Sequence, residues 1–166
     1  MHSSDFKTKR IALAALFAAV ALVVTMLVRV PIPSTSGYIN LGDSVIYAAA
    51  LLLGGPLAAV AAAVGSALAD LFVGAAVYAP ATALIKALMA LAVGAVLRRK
   101  TFARSIAAAV ISGVIMVCGY LLYELLVFGA AYAVVGVPMN CIQGALCAVV
   151  SVLLFGILRK LKPQDL

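Results

Sequence analysis

The sequence predicts an all-α integral membrane protein, a six-transmembrane-helix bundle with N- and C-termini cytoplasmic. Three observations carry that expectation. Of 166 residues, 67% are hydrophobic and only 10% charged, whereas a soluble domain is about half apolar and a quarter charged. Disorder is excluded too, because it needs low hydrophobicity and high charge. Ten of the twelve Lys and Arg residues fall in three clusters: Lys7, Lys9 and Arg10; Arg98, Arg99, Lys100 and Arg104; and Arg159, Lys160 and Lys162. Each cluster abuts a long apolar run, the distribution expected of cytoplasmic flanks. The net charge of +7 therefore speaks for a membrane surface rather than nucleic acid, with about 1 kcal/mol of attraction to anionic lipid per basic residue. A crossing takes about 20 residues, so the chain forms a single membrane domain over 1–166 with no room for a separate nucleotide-binding domain.

Topology then becomes a matter of parity. If all three basic clusters face the cytoplasm, an even number of helices separates each pair. The 87 residues from Ile11 to Leu97 suit four helices better than two. The 54 residues from Ser105 to Leu158 suit two helices and an outer loop. The first helix is expected over about 10–28. Its apolar run, Ile11 to Val28, is longer than a signal-peptide core, and no small-residue cleavage signal follows it, so it reads as retained. Prolines and glycines in Val30-Pro-Ile-Pro-Ser-Thr-Ser-Gly-Tyr-Ile-Asn-Leu-Gly-Asp43 mark an extracellular loop between helices 1 and 2. The second helix follows over about 41–53, and Gly54-Gly55-Pro56 makes an inner turn with Pro56 in the first turn of the third. The third helix is expected over 56–74 and the fourth over 80–97, opened by Tyr78-Ala-Pro80. The fifth covers 105–128, a second outer loop reaches Pro138, and the sixth covers 138–158. Asp43 to Gly74 is only 32 residues for two crossings, short for a core about 30 Å thick. Such helices are stubby and shielded by neighbours, or the pair is re-entrant.

Side chains that lipid penalises are the informative ones. Asp70, Lys86 and Glu124 lie inside apolar segments, where each costs several kcal/mol unless paired or hydrated. Asn140 and Gln143 share one face of the sixth helix. The first outer loop adds Tyr38, Asn40 and Asp43, with Tyr47 one turn below Asp43. Tyr78, Tyr120 and Tyr123 add amphipathic rings. By position all these lie in the outer half of the bundle and can line a pocket closed below by Ala, Leu and Val. The competing reading is structural: Lys86 pairs with Asp70 or Glu124 and holds helices together, and Asp43 or Asn40 caps the second helix. Two carboxylates against one lysine would suit a cationic or hydrogen-bond-donating ligand. Arg29 is expected to snorkel to the headgroups.

No residue set suggests catalysis, a metal site or a resident cofactor. The single histidine, His2, is in the tail, and no GxxxxGK[ST] is present for ATP. Cys118, Cys141 and Cys147 lack metal or disulfide spacing and read as small core residues. Ala14 with Ala18, and Ala15 with Ala19, have the small-xxx-small spacing that lets helices approach closely, as do Ala59, Ala63 and Ala67, and Ala61, Gly65 and Ala69 in the third helix. Internal packing and a partner interface are both compatible with it.

The ordered series Gly37-Tyr-Ile-Asn-Leu-Gly-Asp43, Leu53-Gly-Gly-Pro56, Gly65-Ser-Ala-Leu-Ala-Asp70, Tyr78-Ala-Pro-Ala-Thr82 and Lys86 resembles the S component of energy-coupling factor (ECF) vitamin transporters. The resemblance implies a subunit of the bacterial plasma membrane that captures a water-soluble vitamin or precursor from outside. The first outer loop would act as a lid. Ala14/Ala18 or Ala15/Ala19 would dock on a transmembrane coupling protein, the T component, driven by two cytoplasmic ATPases. The pattern is nearest the riboflavin or pyridoxine/hydroxymethylpyrimidine branch, and a small heterocycle fits the few aromatic residues better than a large flavin. Two other classes stand beside this reading: a stand-alone ion-coupled secondary transporter or channel working through Asp70, Lys86 and Glu124, and a ligand-free membrane assembly protein with those charges paired internally.

Overall fold

The computed structural model describes residues 3–33 and 35–161, with side chains described from residue 7 onward. His2 and Lys162 lie outside the described residues. Six α-helices follow in order: α1 Ser3–Leu27, α2 Gly42–Leu53, α3 Gly55–Phe72, α4 Ala79–Val96, α5 Phe102–Val127 and α6 Ala130–Leu158. Between α1 and α2 the chain forms a small antiparallel ribbon, β1 Arg29–Pro31 with β2 Tyr38–Asn40, in which Val30 faces Ile39. One 3-10 turn, Ala76–Tyr78, leads into α4.

Five of the helices are long and apolar enough to cross a membrane. The sixth, α2, has 12 residues, which is about 18 Å of helix and too short for a 30 Å core. Its sequence explains how it survives in lipid. Eleven of its residues are buried, because α1, α3, α4 and α6 all pack against it. The remaining helices form an arc, α1 beside α3, α3 beside α4, α4 beside α5 and α5 beside α6. The tension over the short second and third helices thus resolves into one enclosed short helix and one full-length neighbour of 18 residues.

The α1–α3 contact depends on small residues. At Gly65 of α3, a Cβ would run into the backbone carbonyl of Ala18, and Ala14 on the same face of α1 is buried. Ala15 and Ala19 point outward. Of the two alanine pairs, one is used inside the bundle and the other faces out.

Three helix boundaries differ from expectation. The first helix begins by Ser3 rather than near Arg10. The fifth starts at Phe102, capped by Thr101, whose hydroxyl accepts from the Arg104 N–H at 3.4 Å. The sixth starts at Ala130 rather than Pro138. Two residues, Phe128 and Gly129, the latter with φ 88°, make the whole turn from α5. The second outer loop expected over 128–138 is therefore helix. Pro138 lies within it, because helices in lipid tolerate an internal proline when neighbours satisfy the freed carbonyl.

The two ends of the bundle differ in chemistry. One carries the basic clusters: Arg10 donates from Nη2 to the Leu53 carbonyl at 2.5 Å, and Arg104 donates to the Val96 carbonyl at 3.3 Å, both closing helix C-termini. Behind them lies a solid apolar core that includes Tyr47, Ala58, Val93, Ala108 and Phe155. The opposite end carries the β1–β2 ribbon, the 3-10 turn and Gly129, and it is not solid. Arg29 lies exposed there and donates to the Val73 carbonyl at 3.4 Å. Cys118 and Cys141 are exposed on the outside of α5 and α6, and only Cys147 is buried, which corrects the expectation of three core thiols.

Candidate functional site

At the ribbon end the helices part around a small cavity of about 30 Å³, partly open to solvent. Nine residues singled out in the sequence line it: Tyr38, Asn40, Asp70, Tyr78, Lys86, Tyr120, Glu124, Asn140 and Gln143. They come from β2, α3, the 3-10 turn, α4, α5 and α6, and so from almost every element at that end. Thr25, Ile32, Gly37, Ser66 and Thr82 complete the wall. Sequence reasoning did not assign Thr25, Ser66 or Thr82 to the pocket because a lone hydroxyl in an apolar helix costs little and gives no signal.

Three expected residues sit elsewhere, Tyr47, Asp43 and Tyr123. Tyr47 is 1% exposed, and its hydroxyl donates to the Ser105 carbonyl at 3.2 Å, in the core near the basic end. One helical turn separates it from Asp43, and that turn carries it down and away from the cavity. Asp43 lies beneath the cavity floor. Lys86 reaches it, with Nζ 2.5 Å from Oδ1. The expected partner of Lys86, Asp70 or Glu124, is therefore replaced by an acid from the start of α2. Asp43 does not cap α2 by its side chain. It binds across the bundle instead, accepting from Gln143 Nε2 at 2.8 Å on Oδ2. The amide oxygen of Gln143 in turn accepts the Asn40 N–H at 2.8 Å. Asn40 does help start α2, its Oδ1 accepting the Gly42 N–H at 2.8 Å. The floor is a set of bonds that converge on Asp43, from Lys86 on one side and from the β2 N–H of Asn40 through the Gln143 amide on the other.

The walls are different. Tyr38 donates to Asp70 Oδ1 at 2.5 Å, and Tyr78 donates to Glu124 Oε1 at 2.8 Å. Burial, and then the Asp70 charge, push the Tyr38 phenol above its ordinary pKa, so it stays a donor. The second oxygen of each carboxylate, Asp70 Oδ2 and Glu124 Oε2, is buried with no hydrogen bond. Glu124 Oε2 packs over Gly136, where a Cβ would come within 2.8 Å. A buried carboxylate oxygen without a partner is costly. Because Asp43 neutralises Lys86, the lining holds two acids and no uncompensated cation.

Tyr120 contributes a ring face and a hydroxyl. Lys86 Nζ stands 5.3 Å from its ring centroid, and its hydroxyl lies 3.0 Å from Thr82 Oγ1. Tyr78 packs on Tyr120, Tyr123 and Phe128 with centroids 5.5–6.1 Å apart. Tyr123 itself lies outside the lining and donates to the Val77 carbonyl. Tyr132, which the sequence reading assigned to a loop, stacks on Phe128 at 4.4 Å and reaches both Tyr78 and the ribbon loop. The arrangement can hold a small polar molecule by hydrogen bonds and ring contacts.

Comparison with known proteins agrees with this architecture. The sequence model of the family described as "ECF-type riboflavin transporter, S component" matches residues 5–160. A solved structure described as "Structure and mechanism of the S component of a bacterial ECF transporter" superimposes with a TM-score of 0.70, covering 93% of this chain and 97% of that one. At 24% identity that likeness speaks for the fold alone. A Pyrococcus woesei protein described as "Uncharacterized protein in gap 3'region" is 39% identical over 113 residues, 68% of this chain and 76% of that protein. With a match over nearly its whole length, and with multiple apolar helices that place it in the plasma membrane, this chain belongs to the family of ECF-type riboflavin transporter S components.

Proposed function

We propose that this chain captures a water-soluble vitamin or vitamin precursor, a small heterocycle of the pyridoxine or pyrimidine type, as the substrate-binding subunit of an ATP-driven ECF importer. The observation that supports this most directly is the pair of unpartnered acid oxygens, Asp70 Oδ2 and Glu124 Oε2, in the cavity wall. A heterocycle bearing amino, hydroxyl or protonated ring nitrogen groups supplies the donors they lack. Tyr38, Tyr78 and Tyr120 supply ring contacts, and Asn40, Asn140 and Gln143 supply amides. The cavity end faces outward and the basic end faces the cytoplasm, as the positive-inside rule requires. The transmembrane coupling component docks on the outward alanines of α1, Ala15 and Ala19, and two cytoplasmic ATPases supply the energy. This chain performs no chemistry of its own.

A second reading, riboflavin as the ligand, is favoured by the family's description. Its ribityl hydroxyls would serve the same acids. Isothermal titration of the detergent-purified protein with pyridoxine, an aminopyrimidine and riboflavin separates the two. One ligand is expected to bind with nanomolar affinity without ATP. Tight binding of none of them, together with uptake into liposomes holding this chain alone under an ion gradient, would move the assignment to an ion-coupled transporter.

A further inference from the structure

A second cavity lies below the floor, between α5 and α6 and against the start of α2. It shares no lining residue with the one above. It measures about 10 Å³, close to the room that one water molecule needs. Asp43, Ser112, Cys147 and Ser151 line it, and all four are more than nine-tenths buried, with exposures of 5%, 6%, 4% and 3%. Gly113 and Gly144 complete that side, where a Cβ on Gly113 would stand 3.6 Å from the Gly144 Cα.

The commitments of these polar groups decide what the cavity can hold. The Cys147 thiol donates to the Asn40 carbonyl at 3.4 Å, so its proton is used. Asp43 accepts from Lys86 on one oxygen and from Gln143 on the other, and each carboxylate oxygen can accept once more. Ser112 and Ser151 make no hydrogen bond to any described residue. A serine within an apolar helix can turn its hydroxyl onto the carbonyl four residues back, and these two do not. A buried hydroxyl without a partner is costly, and here two of them share one small space with a carboxylate.

We propose that this cavity is an internal water site, in which one water accepts from the Ser112 and Ser151 hydroxyls and donates to the Asp43 carboxylate. Three bonds is the usual number for a buried water, and this set leaves neither serine unsatisfied. Charge selects water over a cation. Lys86 already neutralises Asp43, so a sodium ion would bring a positive charge that no second acid in the lining offsets. The water ties α5 and α6 to the same acid that Lys86 holds from α4, so the floor is braced from below as well as from the side. The site belongs to the free protein and does not depend on which molecule occupies the upper cavity.

The test uses the detergent-purified full chain and no vitamin. A crystal structure grown in choline chloride, without sodium or potassium, is expected to show one density peak about 2.5–3.0 Å from an Asp43 oxygen and from both serine oxygens. No peak, or hydroxyls turned onto their own helices, would overturn the proposal. A peak present in sodium chloride and lost in choline would overturn it too, by marking a cation. Thermal unfolding gives a second readout. Ser112→Ala and Ser151→Ala are each expected to lower the midpoint by about 2–4 °C, the scale of one lost hydrogen bond in a chain of this size. Because both hydroxyls hold one shared water, the double variant is expected to fall by less than the sum. Midpoints that stay or rise in both singles, or losses that add in full, would refute a shared ligand. No vitamin enters either arm, so failure here is distinct from failure of the titrations above.

Discussion

Replacing Lys86 by methionine isolates the cavity floor. The Lys86 and Asp43 side chains are 3% and 5% exposed, and Nζ sits 2.5 Å from Oδ1. Without the ammonium, Asp43 keeps only the Gln143 amide as a side-chain partner, in a place walled by α2, α4 and α6. Stranding one member of a buried pair costs about 3–5 kcal/mol, whereas replacing both by neutral groups of similar size is close to neutral. For a chain of this size each kcal/mol moves the thermal midpoint by roughly 2–4 °C. Lys86→Met and Asp43→Asn are therefore each expected to lower it by about 6–20 °C, read by circular dichroism in detergent. The double variant Asp43→Asn/Lys86→Met is expected to recover most of that loss, with a coupling of about 2 kcal/mol or more. A double variant that falls by the sum of the two singles would refute the reasoning, since it would mean that neither charge stabilises the other.

Three further outcomes follow from the geometry. Asp70→Ala and Glu124→Ala should each weaken ligand binding by about tenfold or more, the loss of one charged hydrogen bond; titration curves that superimpose on the parent's would remove these acids from the site. Ala15→Trp or Ala19→Trp should leave binding intact and reduce co-purification with the coupling component, whereas an unchanged pull-down would place docking on another face. Gly65→Val should cost about 1–3 kcal/mol by forcing α1 and α3 apart, a thermal shift that Ala15→Trp on the outward face should not reproduce.

What the sequence made legible was mostly electrostatic. Asp70, Lys86, Glu124, Asn140 and Gln143 stood out because hydrocarbon penalises them, and all five line one cavity. Depth along a helix was harder to read. Tyr47 shares a face with Asp43 yet lies in the apolar core, since side-chain periodicity fixes direction and says nothing of height. The partner of Lys86 was hidden by separation in the chain: Asp43 is 43 positions away and sits at a helix start, where an acid has an ordinary local explanation. Tyr132 was lost to the proline. Pro138 ends helices in water, where a freed carbonyl has solvent to turn to, but α6 runs through it for 29 residues. The alanine pairs were readable as contact faces, but which pair stays inside depended on Gly65 in another helix.

The brevity of α2 has a consequence for where a polar guest can rest. A strut of 12 residues begins partway down the bundle, and the volume its absent upper turns would have filled is the hollow roofed by the ribbon. Under the function proposed above, a water-loving molecule would lodge there without unwinding a helix or opening a continuous pore. The depth of that berth is set by counting residues: each extra turn of α2 would raise its base by about 5.4 Å.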